Sequence, residues 1–121
     1  MKSSIVCSVV NIALVLGFFS LSWGHGVLIE SFPSHGAILQ EPPSIISLRF
    51  NAVLETSITR VTLVDLKKQS QALHVTDGST LEQVVVAVPP ITPGVYHVNY
   101  QVLAADGHVT KGSIRFTVLT H

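Results

Sequence analysis

Six histidines stand at positions 25, 35, 74, 97, 108 and 121, and two of them occupy places where a metal centre is easily assembled. His108 closes the tripeptide Asp106-Gly107-His108. Residues two apart in an extended segment project to the same side, and the glycine between them accepts backbone angles that let carboxylate and imidazole converge at a turn. His25 directly follows Ser22-Trp23-Gly24, which has small residues at its first and third positions, as a signal-peptide cleavage site does. A chain that begins at His25 offers two nitrogens from one residue, the free α-amine and the imidazole Nδ1, closing a six-membered chelate ring. An α-amine ordinarily titrates at about 7.7–8.0, so a metal displaces its proton near neutral pH. In an uncleaved precursor that nitrogen is an amide and the chelate cannot form. Together His25, Asp106 and His108 supply three nitrogens and one carboxylate oxygen. That set suits a tetragonal copper(II) centre better than calcium or magnesium, which prefer oxygen, and it lacks the soft sulfur that favours copper(I). Each part also has an ordinary reading: Asp-Gly is a common turn signal, and a leader can be cut in front of any histidine.

The other histidines carry less. His97 falls on the outward face of an alternating segment, where a side chain is solvated. His35 lies between Ser34 and Gly36 in a turn, and His74 sits beside a strand near Asp77; either could serve as a secondary ligand. His121 is terminal. Ser47, Ser79 and Ser113 have no nucleophile-elbow context, no pair of carboxylates is set up for acid–base work, and no glycine-rich phosphate loop is present. No enzymatic activity is expected.

The elements that must position these residues begin after residue 24. Met1 and Lys2 give a positive start, and Ile5 to Leu21 form an apolar run. This is the layout of a secretory signal peptide, residues 1–24. The competing reading is a membrane anchor, since a spanning helix needs roughly 17–25 apolar residues. Cleavage removes Cys7, Met1 and Trp23, each the only residue of its type. The domain 25–121 then has no disulfide, thiolate or thioether chemistry. The whole chain balances seven Lys and Arg against seven Asp and Glu, and loss of Lys2 leaves the domain slightly acidic. Nothing in the sequence marks a basic patch for nucleic acid or a basic amphipathic helix for a membrane surface.

Ile46, Leu48 and Phe50 alternate with polar residues, as do Val61 and Leu63, then Val84, Val86 and Val88. Tyr96, Val98, Tyr100 and Val102 follow the same rule, and Ile114, Phe116 and Val118 close the series. This period of two describes strands with one face on a core and one in water. Gly26 to Phe32 alternates poorly. Proline and glycine punctuate the strands at Pro33 to Gly36, Pro42-Pro43, Gly78, Pro89-Pro90, Pro93-Gly94 and Gly107. About seven short strands with no helix of three turns predict an all-β, antiparallel Greek-key sandwich or barrel.

Taken together, His25, Ser31-Phe32-Pro33-x-x-Gly36, Leu48-x-Phe50-Asn51, Pro93-Gly94-x-Tyr96-x-Val98-x-Tyr100, Asp106-Gly107-His108 and Gly112-x-x-x-Phe116-x-Val118 form a pattern. In that pattern the sequence resembles the CopC family of periplasmic copper-resistance proteins. The resemblance implies an immunoglobulin-like β-sandwich and one copper(II) per domain, with His25, Asp106 and His108 as ligands. Some members carry a methionine-rich copper(I) site, which a domain without methionine does not have. Many place an acidic residue where Ala52 stands here, with Glu55 three positions on.

The expected function is a periplasmic copper(II) carrier or buffer in copper resistance or homeostasis. It would act as a monomer without stable membrane insertion after cleavage and without nucleic acid. A separate inner-membrane copper transporter or other copper-resistance proteins would be its partners. Two other classes stay open: a histidine-brace copper monooxygenase, and a metal-free immunoglobulin-like adhesion or chaperone module. Intact-mass measurement of exported protein should show a chain that starts at His25; a chain that keeps residues 1–24 would remove the chelate from consideration.

Overall fold

The computed structural model describes residues 27–120. Nine strands lie in this span: β1 Leu28–Phe32, β2 Ala37–Leu39, β3 Ile45–Phe50, β4 Arg60–Val64, β5 Ser70–Leu73, β6 Val75–Asp77, β7 Gln83–Ala87, β8 Gly94–Leu103 and β9 Val109–Val118. The helical content of the described residues is a single 3-10 turn at Thr56–Ile58. A four-stranded sheet runs β1-β3-β7-β6, and a five-stranded sheet runs β2-β9-β8-β4-β5. The chain crosses between the sheets at β1–β2, β2–β3, β3–β4, β5–β6 and β7–β8, which gives the Greek-key sandwich.

The alternating residues form the layer between the sheets. Ile46, Leu48, Val84, Val86, Val98 and Phe116 are each 0% exposed. Fully burying such a side chain contributes about 1.5–3 kcal/mol, and several of them per strand fix which face of each strand turns inward. Two aromatic pairs lock the layer. Phe50 meets Tyr100 edge-on with centroids 5.4 Å apart, and Tyr96 stacks on Phe116 at 5.6 Å. The Tyr100 ring lies across Gly112, where any Cβ would collide with its phenol, and burial pushes that phenol's pKa up.

The sandwich expected from the alternation is present, with more strands than the pattern displays. β2 and β6 have three residues each, too few to show a period of two. β2 also runs parallel to β9, in an otherwise antiparallel pairing scheme. β1 is an edge strand whose register shifts between Leu28 and Glu30, leaving Ile29 and Glu30 both exposed. That irregularity is why Gly26 to Phe32 alternates poorly.

β8 and β9 pair over ten consecutive residues each, from Gly94 with Val118 to Leu103 with Val109. Tyr96 secures the start of this hairpin by donating from its hydroxyl to the Thr92 carbonyl at 2.5 Å. A tyrosine that ties the beginning of a long strand to the preceding corner is a recurrent device of such sandwiches. Tyr96→Phe keeps the ring stack and strands the Thr92 carbonyl. Denaturant unfolding should show a loss of about 1–2 kcal/mol, and an unchanged midpoint would remove the corner from the account.

Candidate metal centre

Ala104 to His108 join β8 to β9 at one end of the sandwich. Gly107 donates its N–H to the Ala104 carbonyl at 2.9 Å, and Ala104 donates to the His108 carbonyl at 2.9 Å, so the loop is a closed turn. Gly107 sits at φ +92°, a left-handed conformation that glycine adopts without a Cβ penalty. Around it Asp106 folds back: its Oδ1 accepts the His108 backbone N–H at 3.0 Å, and its Oδ2 lies 3.2 Å from His108 Nδ1. The carboxylate and imidazole are thus brought together on the turn. Both are about half exposed, at 45% and 55%. An exposed pair of this kind adds little stability; it keeps two donors side by side within reach of solvent.

The turn is braced by the segment that follows β3. Ala105 donates to the Val53 carbonyl at 2.8 Å, Leu54 pairs with Ala104 as an isolated bridge, and Glu55 donates its N–H to Leu103 at 2.9 Å. The same segment holds the first described residue. Val27 donates its N–H to Asn51 Oδ1 at 2.7 Å, and Asn51 donates back to the Val27 carbonyl at 3.1 Å. Asn51 therefore ties the entry of the chain to the end of the sandwich that carries Asp106 and His108. The sequence shows Asn51 only as the residue that follows the strand's last core position, Phe50, with no pattern that marks its partner at Val27.

His25 lies outside the described residues, as does His121. A two-residue tether from Val27 spans at most about 7 Å. Among the described residues no three His, Cys, Asp or Glu side chains form a cluster able to hold a metal. Asp106 and His108 are two donors, fewer than the four a tetragonal centre takes.

The two candidate secondary ligands lie elsewhere. His35 accepts the Arg115 backbone N–H on Nδ1 at 3.0 Å, while Gly36 donates to the Arg115 carbonyl at 2.6 Å. One imidazole nitrogen is thereby committed to pinning the Pro33–Gly36 turn onto β9. Arg115 is seven residues along that strand from His108, roughly 23 Å at the usual rise. His74 is exposed between β5 and β6. His97 is exposed on β8, opposite Arg115 and Val64, as its place in the alternation implied.

Comparison with known proteins gives a consistent answer. The CopC domain model matches residues 28–119. The chain is 28% identical to protein YobA of Escherichia coli strain K12 over 99 residues, covering 79% of this chain and 80% of that protein. It is 30% identical to copper resistance protein C of Xanthomonas campestris pv. juglandis over 125 residues, covering 95% of each. The fold matches the crystal structure of CopC from Methylosinus trichosporium OB3b with a TM-score of 0.76, at 24% identity and over 80% of this chain and 96% of that one.

Gly107 offers a direct test of the turn. A Cβ there meets no atom within 4 Å, so any cost of Gly107→Ala comes from the backbone angle alone. The variant should lose about 1–2 kcal/mol in denaturant unfolding. A neutral substitution would mean that the left-handed turn does not set the geometry of Asp106 and His108.

Proposed function

The chain belongs to the CopC family, and we propose that it is an exported copper(II) carrier or buffer of the periplasm, serving copper resistance or supply. The observation that carries this reading is the Asp106–His108 pair, held 3.2 Å apart on a braced turn. In the proposed centre residues 1–24 are removed and His25 contributes its α-amine and Nδ1. Asp106 contributes a carboxylate oxygen and His108 an imidazole nitrogen. Copper is the cargo, and no step of chemistry is assigned to it.

Support for His25 comes from chemistry and from chain length. Its two nitrogens would complete a set of four donors, and it precedes by two residues the Val27 that Asn51 clamps at the same end of the sandwich. Nitrogen and carboxylate donors without sulfur favour copper(II), and the Irving–Williams order ranks it above nickel, cobalt and zinc at the same ligands. Copper(I) would find no thiolate or thioether in residues 25–121. One copper(II) should bind tightly per domain, with zinc(II) much weaker and the metal released on reduction. A periplasmic site and a separate membrane transporter as partner belong to the same reading.

Asp106→Ala and His108→Ala should each weaken copper(II) binding more than about tenfold, a loss above about 1.4 kcal/mol. His97→Ala should change it little. Competition titration reads both, and equal damage from His97→Ala and His108→Ala would show that the site lies elsewhere. Affinity should also fall as pH is lowered, because protons compete for the imidazoles and the amine. A pH-independent affinity would contradict nitrogen ligation.

A further inference from the structure

The five strands of the larger sheet contain Arg60, Lys111 and Arg115 and no aspartate or glutamate. All three cations are exposed and sit at outward positions of the alternation. Among the described residues none of them forms an ion pair, whereas Arg49 of the other sheet pairs with Glu30 at 3.4 Å. The register sets the side chains in rows: Arg60, Gln101 and Lys111 stand directly across from one another, and Thr62, Asn99 and Ser113 form the next row. Two strand spacings place the Arg60 and Lys111 backbones about 10 Å apart. These six residues, with Tyr100 and Gly112, line a shallow groove of about 520 Å³. No hydrogen bond within the described residues occupies any of the six side chains.

We infer that this groove is a binding site for a multiply charged phosphate-type oxyanion, held between Arg60 and Lys111 over the amides of Asn99 and Gln101. The lining is rich in donors: a guanidinium, an ammonium, two carboxamides and two hydroxyls. A guanidinium binds phosphate through paired N–H bonds, and an ammonium adds a point charge. No aspartate or glutamate on the sheet's own strands competes for these cations. An open groove screens each contact, so a monoanion gains little and charge on the ligand must multiply. This site is independent of the proposed copper centre and uses none of its residues. It is dispersed along the sequence, with Arg60 on β4 and Lys111 on β9, so only the strand order gathers it.

Metal-free exported chain should be titrated with inorganic pyrophosphate at low ionic strength and followed by amide chemical shifts. The expected result is saturable shifts confined to residues 60–62, 99–101 and 111–113, weakening as salt is added. The double variant R60Q/K111Q should lower affinity at least about tenfold, and K111R should retain it. A parallel arm with vesicles containing cardiolipin, whose headgroup carries two phosphates, separates the sources. Sedimentation with vesicles that R60Q/K111Q abolishes assigns the phosphate to lipid headgroups; pyrophosphate shifts without vesicle binding assign it to a soluble ligand. Absence of binding in both arms, or shifts that persist in R60Q/K111Q, would overturn the inference.

Discussion

The ladder between β8 and β9 is the constraint on which the rest depends. Ten residues of each strand pair without interruption, and their inward side chains, among them Val98, Val102, Ile114 and Phe116, form one wall of the core. Because side chains alternate strictly, a slip of one residue would turn all of them toward water. The turn that closes the ladder therefore has no freedom of register. Asp106 and His108 inherit that rigidity even though they are exposed. Gly107 supplies the one backbone angle that the closure requires. Val53 and Leu54 then hold the turn through backbone contacts from the β3–β4 connection.

Much of this was legible from the order of residues. The period of two identified the strands that carry the core, and the buried set from Ile46 to Val118 follows it. Asp106-Gly107-His108 was legible as a turn in which two donors two residues apart could converge, although Asp-Gly alone marks many ordinary turns. The three-residue strands β2 and β6 were not legible, since they pair through backbone and carry no pattern of their own. The role of His35 was also hidden. Its Nδ1 is committed to a backbone N–H eighty positions away, a contact that only the folding of the Pro33–Gly36 turn onto β9 creates. The acid-free sheet is illegible in the sequence for a related reason. Arg60 and Lys111 are far apart in the chain, and a near-neutral total charge conceals their meeting on one face.

The proposed centre divides its donors between a rigid part and a processed part. Asp106 and His108 are set by the fold, and two donors alone give a weak, open site. The remaining nitrogens belong to His25, whose amine exists only in a chain that starts there. A copper carrier built in this way would gain its affinity on export, at the moment its leader is removed, and the precursor would stay a poor ligand. Asn51 clamps Val27 at the end of the sandwich that carries the turn, two residues after His25 in the sequence.

The most direct measurement compares two forms of the purified domain, one starting at His25 and one with a single glycine ahead of it. Copper(II) affinity is read by competition, and nitrogen coupling by electron paramagnetic resonance. The account predicts one tight copper(II) with several coupled nitrogens in the first form. In the second it predicts a loss of well over about tenfold in affinity, with coupling from fewer nitrogens. Equal affinity and identical spectra in the two forms would contradict it.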